Sequence, residues 1–308
     1  MPDYGRDLLF GSFITPAAAP PRRAVEMTVA TESSGLDLAT FQDHPYQPRF
    51  LDTWTLLSYA AARTERITLA TNVLNLPLRQ PVIVARSAAS LDLLSGGRFE
   101  LGLGAGAFWD AIVAVGGERL EPGDAVTGLA EAISIIRGIW DEAERTPLRV
   151  DGKIHRAHGA KRGPAPAHGV GIWIGAYKPR MLRLTGETGD GWVPTLSYLP
   201  GGPADLAAMN EAIDDAAAAA GRDPAVVRRL LNINGSFSAA GGGLLQGPPG
   251  QWARELADIA LAHGISGLLL GTDSAEDLAR FGREVAPQVR ELVAAARRRE
   301  GTAKPAPA

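Results

Sequence analysis

Eight short apolar runs alternate with eight helix-period runs along a single chain of 308 residues. The apolar runs fall at residues 7–14, 36–41, 67–71, 98–103, 170–174, 191–193, 228–237 and 265–270. The helical patterns fall at about 22–34, 52–64, 81–94, 124–142, 179–187, 203–220, 251–263 and 275–299, the last with a break near Pro287. Such alternation pairs strands in parallel and covers them with helices. Strands buried on both faces read as continuous apolar runs, as I-T-L-A-T at 67–71 does. The expected fold is α/β, a (β/α)8 TIM barrel, in which ligand-binding groups collect at the C-terminal ends of the strands. A doubly wound open sheet is the alternative, because Gly102-x-Gly104-x-x-Ala107 satisfies a loose dinucleotide fingerprint. That run lies on the fourth strand, however, and the long helix does not follow it at once. Residues 146–170 break the rhythm with a hairpin at Val150-Asp151-Gly152-Lys153 and a Pro/Gly/His-rich loop, an insertion between strands four and five. Residues 1–299 read as one barrel domain and 300–308 as a disordered tail.

Composition excludes several functions. The chain has no cysteine, so disulfides, thiolate chemistry and Cys-ligated zinc are ruled out. Its net charge is −3 with no long basic run, which argues against a nucleic-acid partner. No apolar run approaches the ~18 residues of a membrane span and no leader is evident, so a cytoplasmic protein is expected. His155, His158 and His168 sit in the irregular insertion without a carboxylate at ligand spacing, and read as exposed loop histidines rather than a metal site.

The strand ends carry the candidate site. Strand two ends in Asp43-His44 and runs on to Tyr46; strand three ends in Asn72-Val73. Strand four begins after a Gly96-Gly97 turn and leaves through Gly104-Ala105-Gly106, followed by Phe108 and Trp109. Strand five leaves through Gly175-Ala176-Tyr177-Lys178-Pro179-Arg180 into a helix, and Trp192 lies on strand six. In a barrel all of these face one pocket. A histidine, an asparagine, glycines that admit close approach and a helix N-terminus suit a flat polar ligand bearing a phosphate. Gly102 reads as a packing glycine, Gly104 and Gly106 as ligand-facing ones.

The sequence resembles the bacterial luciferase-like monooxygenase family of flavin- or deazaflavin-dependent oxidoreductases. The resemblance rests on F-Q-D-H-P-Y (41–46), A-T-N-V-L-N-L-P-L-R-Q-P (70–81), S-L-D-L-L-S-G-G-R-F-E-L-G-L-G-A-G (90–106) and W-I-G-A-Y-K-P-R-M-L-R-L-T-G-E-T-G-D-G-W (173–192). It implies a soluble barrel that binds a small-molecule substrate and is often dimeric. Its ring cofactor would lie at the C-terminal end of the barrel against Asp43, Asn72, Val73, Gly104, Ala105 and Gly106. A non-prolyl cis peptide would fall at Asn72–Val73, and the cofactor phosphate at Gly175–Arg180. Asp43-His44 resembles the pair in members that use coenzyme F-420, whereas flavin mononucleotide (FMN) monooxygenases more often carry Glu-His-His. The implied activity is hydride transfer between a reduced deazaflavin and a small electron-poor substrate, with His44 supplying or accepting a proton. An FMN-dependent monooxygenase and a non-catalytic flavin-binding barrel are the alternatives. Sugar-phosphate dehydrogenases of the family carry a catalytic Glu just after the strand-four Gly-x-Gly, where this chain has Ala107. Tyr46, Phe108, Trp109 and Trp192 therefore suggest a hydrophobic or aromatic substrate.

Overall fold

A computed structural model describes residues 3–303. Eight parallel strands close into a barrel: β1 (Leu9–Ile14), β2 (Leu38–Phe41), β3 (Thr68–Thr71), β4 (Phe99–Gly104), β5 (Ile172–Ile174), β6 (Gly191–Trp192), β7 (Arg228–Ile233) and β8 (Gly267–Gly271). Each pairs with its neighbours in sequence. The ring closes where Leu9 of β1 meets Gly267 of β8 and where Leu69 of β3 meets Phe99 of β4. The open-sheet alternative is thereby excluded. Leu74-Asn75 extends the β3 side and pairs with Leu103 and Gly104.

The helices are α1 (Arg23–Ser33), α2 (Thr53–Ala61), α3 (Pro81–Ser95), α4 (Pro122–Trp140), α5 (Pro179–Thr188), α6 (Asp205–Ala219), α7 (Pro249–His263) and a composite α8. Local chemistry sets their ends. The Asp52 carboxylate accepts from the Thr55 N–H to cap α2, and Pro81 occupies the first turn of α3, where its missing N–H costs nothing. Gly96 ends α3 at φ 72° and Gly97 follows at φ 84°, both left-handed. The expected break near Pro287 is a π-helical turn, Phe281–Val285, between Ala275–Arg280 and Ala286–Ala303. Helix therefore continues past residue 299, and the part of the expected disordered tail at 304–308 lies outside the described residues.

Two apolar layers hold the barrel. Leu38, Ala70, Trp173, Val193, Leu230 and Leu269 pack together inside it, with Phe13 and Val73 against them. The larger layer lies between strands and helices and includes Phe10, Phe41, Phe99, Leu101, Ile172, Ile174 and Trp192. Strand alternation explains the split: Trp192 and Val193 point to opposite faces.

Some expectations need correction. The seventh strand stops at Ile233, and Ser236-Phe237 pairs separately with Gln246-Gly247. A short helix, Trp109–Ala114, follows β4. The insertion does form the hairpin, Leu148–Asp151 against Arg156–Ala160, and the Glu131 carboxylate of α4 accepts from the N–H groups of Lys153, Ile154 and His155 at its turn. His168 is no free loop histidine. Its Nδ1 lies 2.8 Å from Asp92 and its Nε2 3.6 Å from Glu100, tying the end of the insertion to the barrel floor. No group of metal ligands occurs among the described residues, and no helix there is long and apolar enough to cross a membrane.

Glu100 makes this floor pH-sensitive. Burial pushes its carboxyl up to about 7, against the hydrogen bond from the Gly171 N–H and the nearby His168. The folded state thus holds the proton more tightly than the unfolded state, where the value is 4.5. This contribution to stability is complete below the unfolded value and is lost as pH rises through about 7. Thermal unfolding followed from pH 5 to 8 (roughly the window that linkage sets) is expected to show a smaller loss for Glu100→Gln than for the parent. Parallel curves would contradict this role.

Candidate functional site

The C-terminal mouth of the barrel is organised around the peptide joining Asn72 to Val73, which is cis. Val73 fills a slot that Gly104 and Gly102 leave open, with Gly175 in ordinary contact beside it. A Cβ on Gly104 would stand 2.7 Å from Val73 Cγ2, one on Gly102 3.1 Å from Cγ1, and one on Gly175 3.4 Å from Cγ2. Gly102 is tighter still, 2.1 Å from the Thr71 carbonyl oxygen, so it is a packing glycine. At Gly104 the missing side chain makes room for Val73. Gly106, at φ 97°, lies under Pro77 and the Trp109 ring, which would meet a Cβ at 2.7 and 3.0 Å. Ala105, beside it, is half-buried against the outer layer.

Asn72 is buried and joined to a polar network across the mouth. Its Nδ2 donates to Asn232 Oδ1 at 2.7 Å and to Thr40 Oγ1 at 3.1 Å. Asn232 Nδ2 in turn donates to Asn72 Oδ1 and to Thr195 Oγ1. Nothing in the local sequence around Asn232 marks it, because its partner is 160 residues away. Asn232→Ala leaves the buried Asn72 Oδ1 without its donor, a cost of about 1–3 kcal/mol. A lower urea midpoint with an unchanged slope is the expected result. An unchanged midpoint would show that the network relaxes without cost.

His44 stands at the rim, half-buried. Its Nδ1 lies 2.6 Å from the Tyr46 hydroxyl, and its ring packs edge-on against Phe108 at 5.5 Å between centroids. Phe50 and Tyr46 complete the ring cluster at 6.4 and 5.4 Å from the imidazole. Burial holds the imidazole below its usual 6.5, partly offset by the negative charge of Asp43. The same burial favours the neutral imidazole over the charged one.

Asp43 has a different place from the one expected. Its carboxylate accepts from Arg79 Nη2 at 2.8 Å and from the Asn75 N–H at 3.0 Å, and the group is buried. It joins strand ends two and three, and its hydrogen bonds stay within the protein. Trp192 is also reassigned. It is fully buried in the outer layer and its indole N–H donates to the Ala176 carbonyl at 2.9 Å, so it does not line the mouth. Phe108 is 57% exposed and Trp109 half-buried, which leaves Tyr46, Phe108 and Trp109 as the aromatic side chains from that prediction at the rim.

The loop into α5 forms the opposite side. Gly175 is half-buried and Ala176 buried, and Lys178, Pro179 and Arg180 are exposed. The Tyr177 hydroxyl accepts from the Thr195 N–H at 2.8 Å. No side chain caps the N-terminus of α5, so its first N–H groups are available. The Arg180 guanidinium lies over Gly123 at the start of α4, where a Cβ would meet it at 2.8 Å. Partial positive charge from the helix end and two cations thus gather here.

A family model described as luciferase-like monooxygenase matches residues 8–240. The chain belongs to that family. Among curated relatives, an F-420-dependent glucose-6-phosphate dehydrogenase from Nocardia farcinica is 33% identical over 227 residues, covering 70% of this chain and 65% of the relative. One of the same name from Mycolicibacterium smegmatis is 31% identical over 229 residues, with the same coverage. The chain thus spans 65% of the length of these relatives. Among solved structures, an F-420-dependent secondary alcohol dehydrogenase in complex with an F-420–acetone adduct superposes with TM-score 0.81 at 18% identity, covering 92% of this chain and 99% of that one. The coenzyme F-420-dependent tetrahydromethanopterin reductase from Methanopyrus kandleri gives 0.78 at 19% identity over 92% and 100%. At such identities the two likenesses establish the luciferase-like barrel.

The residues present suit a flavin-type cofactor on two observations. Asn75 Oδ1 is a buried acceptor with no partner in the protein, as a ligand N–H at the mouth would require. The uncapped α5 N-terminus offers donors for a phosphate.

Proposed function

We propose that this chain is an F-420-dependent oxidoreductase that reduces a small, apolar, electron-poor substrate. The observation that carries the reading is His44 held at an aromatic rim, 2.6 Å from the Tyr46 hydroxyl and 5.5 Å from the Phe108 ring, at the same barrel mouth as the Asn72–Val73 cis peptide. The Asp43-His44 pair and the relatives named for F-420 support the choice of cofactor over FMN. Asn72, Val73, Asn75 and the 104–106 backbone would hold the ring, and Gly175–Arg180 its phosphate. When bound, the reduced deazaflavin supplies a hydride from its ring carbon. Val73 and its flanking glycines fix the ring's seat, Phe108 and Trp109 exclude water, and His44 moves the accompanying proton.

The substrate class departs from that of the named relatives. Ala107 stands at the position where sugar-phosphate dehydrogenases of the family carry their catalytic Glu, and Phe108 next to it is an exposed ring. An apolar acceptor can bury surface against Tyr46, Phe50 and Phe108, at roughly 25 cal/mol per Å² of apolar area. The test is a paired assay: reduced F-420 with a panel of apolar ketones and enones, and oxidised F-420 with glucose 6-phosphate. Turnover in the first and none in the second is expected. Oxidation of glucose 6-phosphate would overturn the substrate class and leave the cofactor assignment intact.

A further inference from the structure

We propose that Asn232 is a positioning residue for the cofactor: it fixes the Asn72 side chain across the barrel and so holds Val73 in the ring's seat. The identity of the ring rests on the proposed function; the rest stands on hydrogen bonds within the protein.

The barrel interior changes character over one step of strand alternation. Leu38, Ala70, Val193 and Leu230 belong to the inner apolar layer. Two residues further on, and so on the same face, stand Thr40, Asn72, Thr195 and Asn232. Thr40, Asn72 and Asn232 are buried, and Thr195 sits beside Asn232 through a parallel bridge that prolongs β6. An apolar pair would fill this layer without burying amides, as it does one layer down. A fully satisfied polar pair instead fixes a single geometry.

The pair is reciprocal. β3 and β7 lie on opposite sides of the ring, and their asparagines meet across its interior. Asn72 Nδ2 donates to Asn232 Oδ1 at 2.7 Å, and Asn232 Nδ2 donates to Asn72 Oδ1 at 3.2 Å. The second hydrogen of each amide goes outward, to Thr40 Oγ1 from Asn72 and to Thr195 Oγ1 from Asn232, both at 3.1 Å. The Thr40 hydroxyl donates to the Ser12 carbonyl at 2.9 Å, and the Thr195 N–H donates to the Tyr177 hydroxyl at 2.8 Å. Strand ends one, two, three, five, six and seven are thereby tied through two side-chain amides. Each Nδ2 uses both of its hydrogens inside the protein, so Asn72 donates to a ligand only by breaking the network. Its part is to carry Val73, whose side chain fills the space over Gly104 and Gly102. Asn232, with no place in the seat itself, acts on the ring through Asn72.

The test has a cofactor-free half and a binding half. The chain has five asparagines, so side-chain amide 1H–15N spectra of asparagine-labelled protein are assigned by single substitutions. The Asn72 amide protons are expected to be protected from solvent exchange in the parent and to lose that protection on the order of 10-fold or more in Asn232→Ala. In fluorescence titrations Asn232→Ala and Asn72→Ala each weaken F-420 binding on the order of 10-fold. The double variant binds no more weakly than the poorer single one, because both act through one link. Asn232→Asp adds a pH readout. Its protonated acid donates one O–H and accepts at the other oxygen, which re-forms the pair with Asn72; the ionised acid only accepts. Its affinity relative to the parent at the same pH is therefore near unity at low pH and falls as pH rises. Additive losses in the double variant, an Asn232→Asp ratio that does not move with pH, or Asn72 protection unchanged in Asn232→Ala overturns the proposal. If the parent binds neither F-420 nor FMN, the proposed function fails, and the amide spectra still decide whether Asn232 fixes Asn72.

Discussion

Replacing His44 with alanine is expected to slow reduction of an apolar carbonyl acceptor by about 10²–10⁴-fold, the range for loss of a positioned acid–base group. Affinity for F-420 should stay within about threefold, well under 1 kcal/mol. The separation follows from the geometry. The proposed ring seat is Val73 with Gly102, Gly104 and Gly175 around it, and the phosphate corner is the start of α5; neither is built on His44. The imidazole meets the protein through Tyr46 and the rings of Phe50 and Phe108. Steady-state rates with saturating reduced cofactor, beside a cofactor titration of the same variant, separate the two effects. An unchanged kcat would remove His44 from the proton path. A collapse of cofactor affinity would mean that His44 supports the ring rather than the chemistry.

The largest stability effect is expected at Arg229, a fully buried arginine on β7. Its Nε donates to Asn210 Oδ1 at 3.1 Å, its Nη1 to the Pro224 and Val227 carbonyls, and its Nη2 to Asp214. Tyr4 lies across the guanidinium, 4.4 Å from its ring centroid, and donates to the same Asp214 carboxylate at 2.8 Å. The N-terminal segment, α6 and the floor of β7 thus meet at one side chain. Arg229→Met keeps much of the volume but leaves Asp214 without its cation and the Pro224 and Val227 carbonyls without their donor. Breaking a buried pair in this way costs about 3–5 kcal/mol. Urea unfolding of parent and variant measures it. A loss below about 1 kcal/mol, the worth of a surface pair, would show that water reaches the cluster and replaces the guanidinium.

The barrel was legible because each strand is buried on both faces and each helix is punctuated locally. Pro81 and Gly96 bracket α3 in the sequence as they do in the fold. The strand-end motifs were legible for the same reason, since Asn72 and Gly175 directly follow an apolar run and His44 comes three residues after one. What escaped was pairing across long separations. Asp43 is engaged by Arg79, 36 residues on, and Asn72 by Asn232, 160 residues on. Arg79 lies in the 70–81 stretch without local signal of its partner, and Asn232 sits in no motif. Trp192 was misplaced because β6 is only two residues long, too short for alternation to show which face the indole takes. That Val73 occupies the empty side-chain space of Gly104 was not legible, because the two lie on different strand ends. His168 looked like one of three similar loop histidines until Asp92 and Glu100 were placed beside it.

The most direct test of the central claim is a pair of fluorescence titrations of the purified chain, one with F-420 and one with FMN. The account predicts saturable binding of F-420 and much weaker or no binding of FMN, with F-420 affinity reduced when Asn75 is replaced by leucine, since the buried Oδ1 then has nothing to offer a ligand N–H. Saturable binding of FMN with none of F-420 would contradict it and place the chain among the flavin-dependent members of the luciferase-like family.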